Sequence, residues 1–479
     1  PRPRGQRSGR RAVRAWGAMI SLLFAVANAS DNKPHVPQPL PWNSNARVVT
    51  SEYEYHEPTN QSRNQQFGMQ IALSGDGLTM AVADAWYFGG SEWPWYASGA
   101  VYVFRLSARG WTQEAQLQPP AARGYDFFGS DLALDFDGNV LVVGAQNEGY
   151  DAPSQAAGPG SAFVYKRRAG VWVEEAMLRA SRPQDGALFG RNVEVSALGD
   201  VIAVAAPYES VSSEGVEQAA AGAVYVFVKR AGTWTEQQAV TAPNPQSYDL
   251  FGWGARLSEY GGTLAVLAAE QNSMTEDWDV GGWPGRSNTV YVFDRWRAGW
   301  NLGAEFEGSA NDPQLGGTAY EFEGQSEGFD LSADGRTLAI ASPFVVASSG
   351  GAAGLVRIYR RRGQQWAAGA SLRPTLPERR SFGLRLALSA NGRTLVAFAD
   401  RDDGAYGHPY VVAFEEVGNR WKQTAIFESP GAQISTGFAN SLSLSWSGKR
   451  FALGARVFST ETSWWGAALV YKRQAPGKH

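Results

Sequence analysis

Residues 67–117 read FGMQIALSGDGLTMAVADAWYFGGSEWPWYASGAVYVFRLSARGWTQEAQL, and this stretch decides the fold. It returns from Phe128 as FGSDLALDFDGNVLVV, followed by GSAFVYKRRAGVWVEEAML. It returns again from Phe189 as FGRNVEVSALGDVIAV, followed by GAVYVFVKRAGTWTEQQAV. Further copies open at Phe251, Gln325, Phe382 and Phe438, so successive starts are 61, 61, 62, 74, 57 and 56 residues apart. Self-similarity at that period is the mark of a repeat architecture.

Each copy spells four short strands. The first alternates apolar with polar or small residues, as a half-buried strand does. Asp76-Gly77, Asp137-Gly138, Asp334-Gly335 and Asn391-Gly392 follow it. Asp-Gly and Asn-Gly supply the positive φ that a two-residue hairpin needs. The third strand, GAVYVF-like, is rich in the aromatic and β-branched residues that suit a pleat. A short Arg/Gly turn leads into a fourth strand that opens at a tryptophan. Seven such units without helical periodicity predict an all-β fold, a seven-bladed β-propeller of four-stranded blades.

Trp111, Trp172, Trp234, Trp300, Trp366 and Trp421 each follow the last aromatic of the third strand by seven residues. The seventh copy stops at Tyr471-Lys472-Arg473 with no fourth strand. Trp42-Asn-Ser-Asn-Ala46-Arg-Val48 has the spacing of Trp111-Thr-Gln-Glu-Ala115-Gln-Leu117, so it is expected to complete the last blade and close the ring. Closure removes the open sheet edges that invite aggregation.

The recurrent FG, the Asp-Gly turn and the GAVYVF strand resemble the FG-GAP repeats of integrin-α-like propellers, most closely secreted bacterial members. The resemblance spans residues 42–471. It implies adhesion or protein interaction at the cell exterior. A propeller scaffold hosts many activities, so the fold alone does not select one.

Residues 1–29 read as a signal peptide. Six arginines from Arg2 to Arg14 precede an apolar run from Ala15 to Ala27, and Ala27-Asn28-Ala29 fits a small-x-small cleavage site. That run is too short to span a bilayer. Residues 30–41 form a Pro-rich leader, and residues 42–479 form the propeller. The expected location is secreted or cell-surface, the periplasm included. The chain has no cysteine, so its stability rests on core and ring closure, not on disulfides. A net charge of −3 gives no electrostatic case for nucleic acid.

Loops after the first and third strands share one face and are short. Loops after the second and fourth share the other and are long: Ala85–Ser98, Gln146–Pro159, Pro207–Ala221 and Glu270–Asn288. Function on such scaffolds concentrates in the elaborated loops. Trp86, Tyr87, Trp93, Trp95 and Tyr96 are read as lying in the first copy's loop, and Trp464 and Trp465 in the seventh's. These seven are the candidate ligand-binding residues. Copies one and seven become neighbours on closure, so the aromatics are expected to form one patch for an extracellular protein or a glycan. Aromatics bury much area at little entropic cost, which suits binding hot spots. The opposing reading is that these loops pack on themselves.

Metal and catalytic signatures are weak. The calcium loops of related propellers place acids or amides at alternate positions before Asp-Gly, with an acid three residues after that Gly. Here Ala72, Ala133, Met80 and Leu141 take the outer positions. Copy five, with Asp330, Ser332 and Asp334, ends on Leu338. No metal and no cofactor is expected. His35, His56, His408 and His479 show no ligand spacing. Neither a GxSxG elbow nor an HExxH helix occurs. The expectation is a non-enzymatic binding propeller. A lectin is one alternative. A carbohydrate-active hydrolase with two carboxylates converging from different loops is another.

Overall fold

The computed structural model describes residues 42–49, 67–85, 98–119, 124–151, 154, 156–269, 287–297, 299–309, 315–318, 326–343, 345, 354–375, 382–399, 409–428, 438–458 and 464–473. Their backbone forms seven four-stranded antiparallel sheets and no helix. Blade 1 is Gln70–Leu73, Thr79–Asp84, Ala100–Ser107 and Gly110–Leu117, from the axis outward. Blades 2 to 6 repeat that order, with innermost strands Phe128–Leu134, Val193–Val195, Phe251–Leu257, Phe329–Leu331 and Leu386–Leu388. Blade 7 combines Phe438–Leu444, Arg450–Phe458 and Trp464–Arg473 with Trp42–Val49 on its outside. That last strand pairs antiparallel, Trp42 opposite Arg473 and Val48 opposite Leu469. The proposed signal and leader, residues 1–41, lie outside the described residues. Among the described residues no helix is long and apolar enough to cross a membrane.

The repeated residues explain one another. The Phe of an FG packs against the aromatics of its own third strand, edge-on in blades 1 to 3. Phe128 meets Phe163 at 5.4 Å and Tyr165 at 6.1 Å, and Phe189 meets Tyr225 at 5.5 Å. Phe128 and Phe189 are buried. Each such ring contributes roughly 2–3 kcal/mol by area, and the edge geometry adds to that. In blades 1, 2, 3 and 5 the glycine before the third strand lets the next blade approach. A Cβ on Gly99 would overlap the Phe128 carbonyl, and one on Gly160 the Phe189 carbonyl. The two halves of the motif are therefore one joint between neighbouring blades.

The seven hairpin turns, three of them Asp-Gly, form a second joint. All seven turn glycines have positive φ, from 60° at Gly261 to 68° at Gly77. Six of the turns begin with Ser, and its Oγ accepts the backbone N–H five residues on, as Ser74 does from Thr79 at 3.0 Å. Blade 2 substitutes Asp135, which accepts from Val140 at 2.9 Å. Neighbouring turns are then sewn together around the axis. Asp76 N donates to Phe136 O, Phe136 N to Ala197 O and Ala197 N to Glu259 O. Glu259 N donates to Ala333 O, Ala333 N to Ala390 O, Ala390 N to Trp446 O, and Trp446 N back to Gly75 O. This backbone circle rims the channel mouth on the short-loop face.

Two sequence expectations need correction. Copy five does not open at Gln325. Gly316 N bonds Ala341 O at 2.8 Å, as Gly190 N bonds Ala205 O at 3.0 Å, so Leu315-Gly316 fills the FG position. An insertion follows, in which Gly317–Thr318 pairs with Ser326–Glu327, and the chain rejoins the repeat at Gly328. This accounts for the anomalous 74-residue spacing. Trp464 and Trp465 are likewise not loop residues. The third strand of blade 7 runs ten residues and begins with them, opposite Phe458 and Val457.

Candidate functional site

The axial channel is the first place to look for chemistry. It encloses about 200 Å³ between the seven innermost strands. Four acidic residues line it, Asp131, Glu194, Glu259 and Asp330, together with Arg256 and Arg385. Their contacts brace neighbouring blades. Asp131 Oδ2 accepts from Asn192 Nδ2 and from Val193 N, both at 2.8 Å. Asn192 Oδ1 accepts from Ala255 N at 2.9 Å. Asp330 Oδ2 accepts from Leu388 N at 2.6 Å. Arg256 lies between Glu194, at 3.1 Å, and Asp330, at 3.6 Å. A glycosidase needs one carboxyl free to donate a proton and one free to attack or activate water. Here Glu194 and Asp330 share a guanidinium and Asp330 also holds backbone N–H groups, so these two carboxylates brace the channel wall.

The Asp-Gly carboxylates are occupied in the same way. Asp76 Oδ1 accepts from Ser74 Oγ at 2.6 Å and Leu78 N at 2.8 Å. Asp334 Oδ1 accepts from Ser332 Oγ at 2.7 Å and Arg336 N at 3.0 Å. Both are turn-closing acceptors. Among the described residues no group of three or more acidic or histidine side chains gathers as a metal site.

The tryptophans that open the outer strands lie between blades. Trp172 packs with the blade 1 core, and its Nε1 donates to Glu114 Oε2 at 3.1 Å. Arg167 adds two bonds to the same carboxylate, at 2.8 and 2.5 Å. The hydrogen bond from Arg167 holds the Glu114 carboxyl below the usual range. One blade on, Glu175 receives Lys229 at 2.5 Å and Trp234 Nε1 at 3.3 Å. Glu114 occupies a β-bulge, skipped between the Val103–Ala115 and Phe104–Gln113 pairs. A bulge re-aims one side chain out of the strand's alternation, here toward the next blade. The signal W-x-x-E in Trp111–Glu114 and Trp172–Glu175 could have revealed this clamp.

The long-loop face is where the described loops are both anchored and open. In blade 3 the loop between second and third strands carries its own hairpin, Val211–Ser213 against Val216–Gln218. Buried Glu209 ties it down, accepting from Tyr225 Oη at 2.8 Å and Arg182 Nη2 at 3.3 Å. Burial pushes the Glu209 carboxyl up from its ordinary value. In blade 2, Glu148 takes the matching position and accepts from Ser161 Oγ at 2.8 Å and Arg179 Nη2 at 2.9 Å. At the seam of blades 3 and 4, Arg191 lies 3.8 Å above the Trp253 ring, with Tyr208 6.4 Å away and 36% exposed. The sequence reading singled out neither Arg191 nor Trp253.

Of the sequence-predicted site, Trp86, Tyr87, Trp93, Trp95 and Tyr96 lie outside the described residues. Trp464 and Trp465 open the third strand of blade 7. The innermost strands of blades 7 and 1 are bridged by Leu73 N donating to Ser443 Oγ at 2.9 Å, so the two blades are neighbours.

The family model described as FG-GAP repeat matches residues 111–165. The matched stretch runs from the outer strand of blade 1 to the third strand of blade 2, consistent with a propeller built of FG-GAP repeats. No curated protein sequence matches it. Among solved structures it is similar to a periplasmic gluconolactonase of Pseudomonas aeruginosa, at 16% identity over 78% of this chain and 92% of that one, TM-score 0.43. It is also similar to the WD40 repeats of RRP9, at 10% identity over 92% of this chain and 100% of that one, TM-score 0.48.

Proposed function

We propose that this propeller is a non-enzymatic binding protein of the cell exterior, secreted or surface-held, that recognises an extracellular protein or a glycan through its long-loop face. The observation that carries the reading is the asymmetry of the two faces. On one, the seven hairpin turns are bound into a continuous backbone circle. On the other, the described loops of blades 2 and 3 are fastened by acidic residues at their bases, and that of blade 3 presents Tyr208 and Val216 to solvent. A fastened base with an open tip is the preorganised arrangement that limits the entropic cost of binding.

The seam of blades 7 and 1 is the proposed centre of that face, with Trp86, Tyr87, Trp93, Trp95, Tyr96, Trp464 and Trp465 as its contact residues. Aromatic density supports it, since indole and phenol rings serve both protein hot spots and sugar stacking. Asp131, Glu194 and Asp330 in the channel support a binder over a hydrolase, because arginine and backbone N–H groups engage them. The test replaces Trp95 and Trp464 with Ala together. Binding to an immobilised glycan array, and to intact cells, is compared with the melt. Loss of binding at an unchanged melt supports the site. A collapsed melt assigns these residues to packing of the fold and removes them from the proposal.

A further inference from the structure

The seam between blades 5 and 6 carries a second feature, on the opposite, short-loop face. Here a cleft of about 500 Å³ opens beside the turns that begin at Ser332 and Ser389. Five arginines line it: Arg336 and Arg393 after the turn glycines, and Arg360, Arg361 and Arg362 at the end of a third strand. Backbone bonds fix the scaffold, with Arg361 N donating to Arg336 O and Glu416 N to Arg393 O, both at 2.8 Å.

The repeat supplies its own control. At the seam of blades 1 and 2 the matching five positions hold Leu78, Asn139, Arg105, Leu106 and Ser107. At the next seam they hold Asn139, Asp200, Lys166, Arg167 and Arg168. Blades therefore form with one to three basic residues at this place, and the fold does not require five. Two of the five do structural work. Arg361 pairs with Asp294 at 2.5 Å, and Arg360 bonds Thr337 Oγ1 at 2.6 Å and Glu416 at 2.9 Å. The other three are exposed. Arg393 approaches Glu416 only at 3.6 Å, and Arg336 and Arg362 make no side-chain ion pair among the described residues. Gathering like charges costs free energy, modest at a wetted surface but unfavourable at this density. A protein whose net charge is −3 concentrates the opposite sign here.

We infer that this cleft binds an acidic saccharide, a uronate-type sugar whose carboxylate takes the free guanidinium groups. Guanidinium forks match planar carboxylates in a bidentate fashion. The cleft is not purely basic, since Asp334, Glu416 and Asn419 share its wall. Those acceptors suit sugar hydroxyls and repel a bare polyphosphate. Its volume falls in the range of small-ligand sites.

The test titrates the intact protein with a short oligogalacturonate, its neutral galactose counterpart and tripolyphosphate, at low and at physiological salt. The wild type is expected to bind the oligogalacturonate, to lose affinity as salt rises, and to ignore the neutral sugar. R336Q/R362Q/R393Q is expected to bind at least about tenfold more weakly at an unchanged melt. R109Q/R168Q/R230Q removes the same charge elsewhere and is expected to bind as the wild type does. No binding by the wild type overturns the inference, and so does an equal loss in both triple variants. Preference for tripolyphosphate overturns the saccharide assignment. Should the first triple variant melt early, the single R336Q and R393Q variants carry the same comparison.

Discussion

Replacing Asp135 with Ser should stabilise this protein in a pH-dependent way. Six of the seven turns begin with Ser, and Asp135 alone brings a carboxyl, 4% exposed, to that place. Burial pushes its pKa from 3.8 to about 7, with Asp137 adding repulsion and the N–H groups of Val140 and Asn139 opposing the shift. A carboxyl whose pKa is raised by folding favours the protonated native state. Its full contribution is present below about pH 4 and is lost as pH rises to about 7. At 1.36 kcal/mol per unit, the ceiling of that loss is about 4 kcal/mol, and relaxation reduces it to roughly 2–4. Serine should retain the bond from Val140, since Ser196 accepts from Val201 at 3.0 Å in the next blade. D135S should therefore gain roughly 2 kcal/mol or more at pH 8 and little at pH 4.5, read from urea unfolding midpoints at both pH values. An equal effect at both pH values, or a loss at pH 8, would refute the assignment of a buried, reluctantly ionised carboxyl.

Further outcomes follow from the joints between blades. Glu114→Ala should cost about 1–3 kcal/mol at pH 7, because it strands Arg167 and Trp172 Nε1. Folding lowers the Glu114 pKa, so this stabilisation is present above the ordinary carboxylate range and is lost as pH falls through the lowered value. Unfolding midpoints at pH 7 and pH 3 should show the gap between wild type and variant closing in acid. Gly138→Ala should cost several kcal/mol, since φ is +64° and a Cβ there overlaps Thr79 Oγ1. Gly232→Ala, at φ +86° with nothing within 4 Å, should cost only about 1 kcal/mol; equal costs would mean that the turn glycines serve backbone freedom alone, not close packing.

Much of this architecture was legible because each repeated residue answers a local demand. Asp-Gly needs positive φ, GAVYVF suits a pleat, and the tryptophan spacing marks the outer strand. What escaped was non-local. The hairpin inserted after Gly316 separates Leu315-Gly316 from the strand it introduces, so the fifth FG hides behind an insertion. The strand holding Trp464 and Trp465 is two residues longer than its eight-residue counterpart in blade 1, and no turn residue announces that. The Glu114 clamp depends on a bulge, which period-two reading cannot register. Arg191 over Trp253 joins two blades across 62 positions, beyond any local pattern.

The completion of the seventh blade, and with it the closure of the ring by its outer strand, rests on the pairing of Trp42–Val49 with Trp464–Arg473. The chain contains no cysteine, so a pair can be introduced cleanly at Asn43 and Lys472, which stand opposite each other in that register. On mild oxidation of the folded N43C/K472C variant, non-reducing electrophoresis and intact mass should show one intramolecular disulfide. The melt should also rise, because so long a closed loop restricts the unfolded chain. If both thiols instead remain free to alkylation in the folded protein, the N-terminal strand does not complete blade 7.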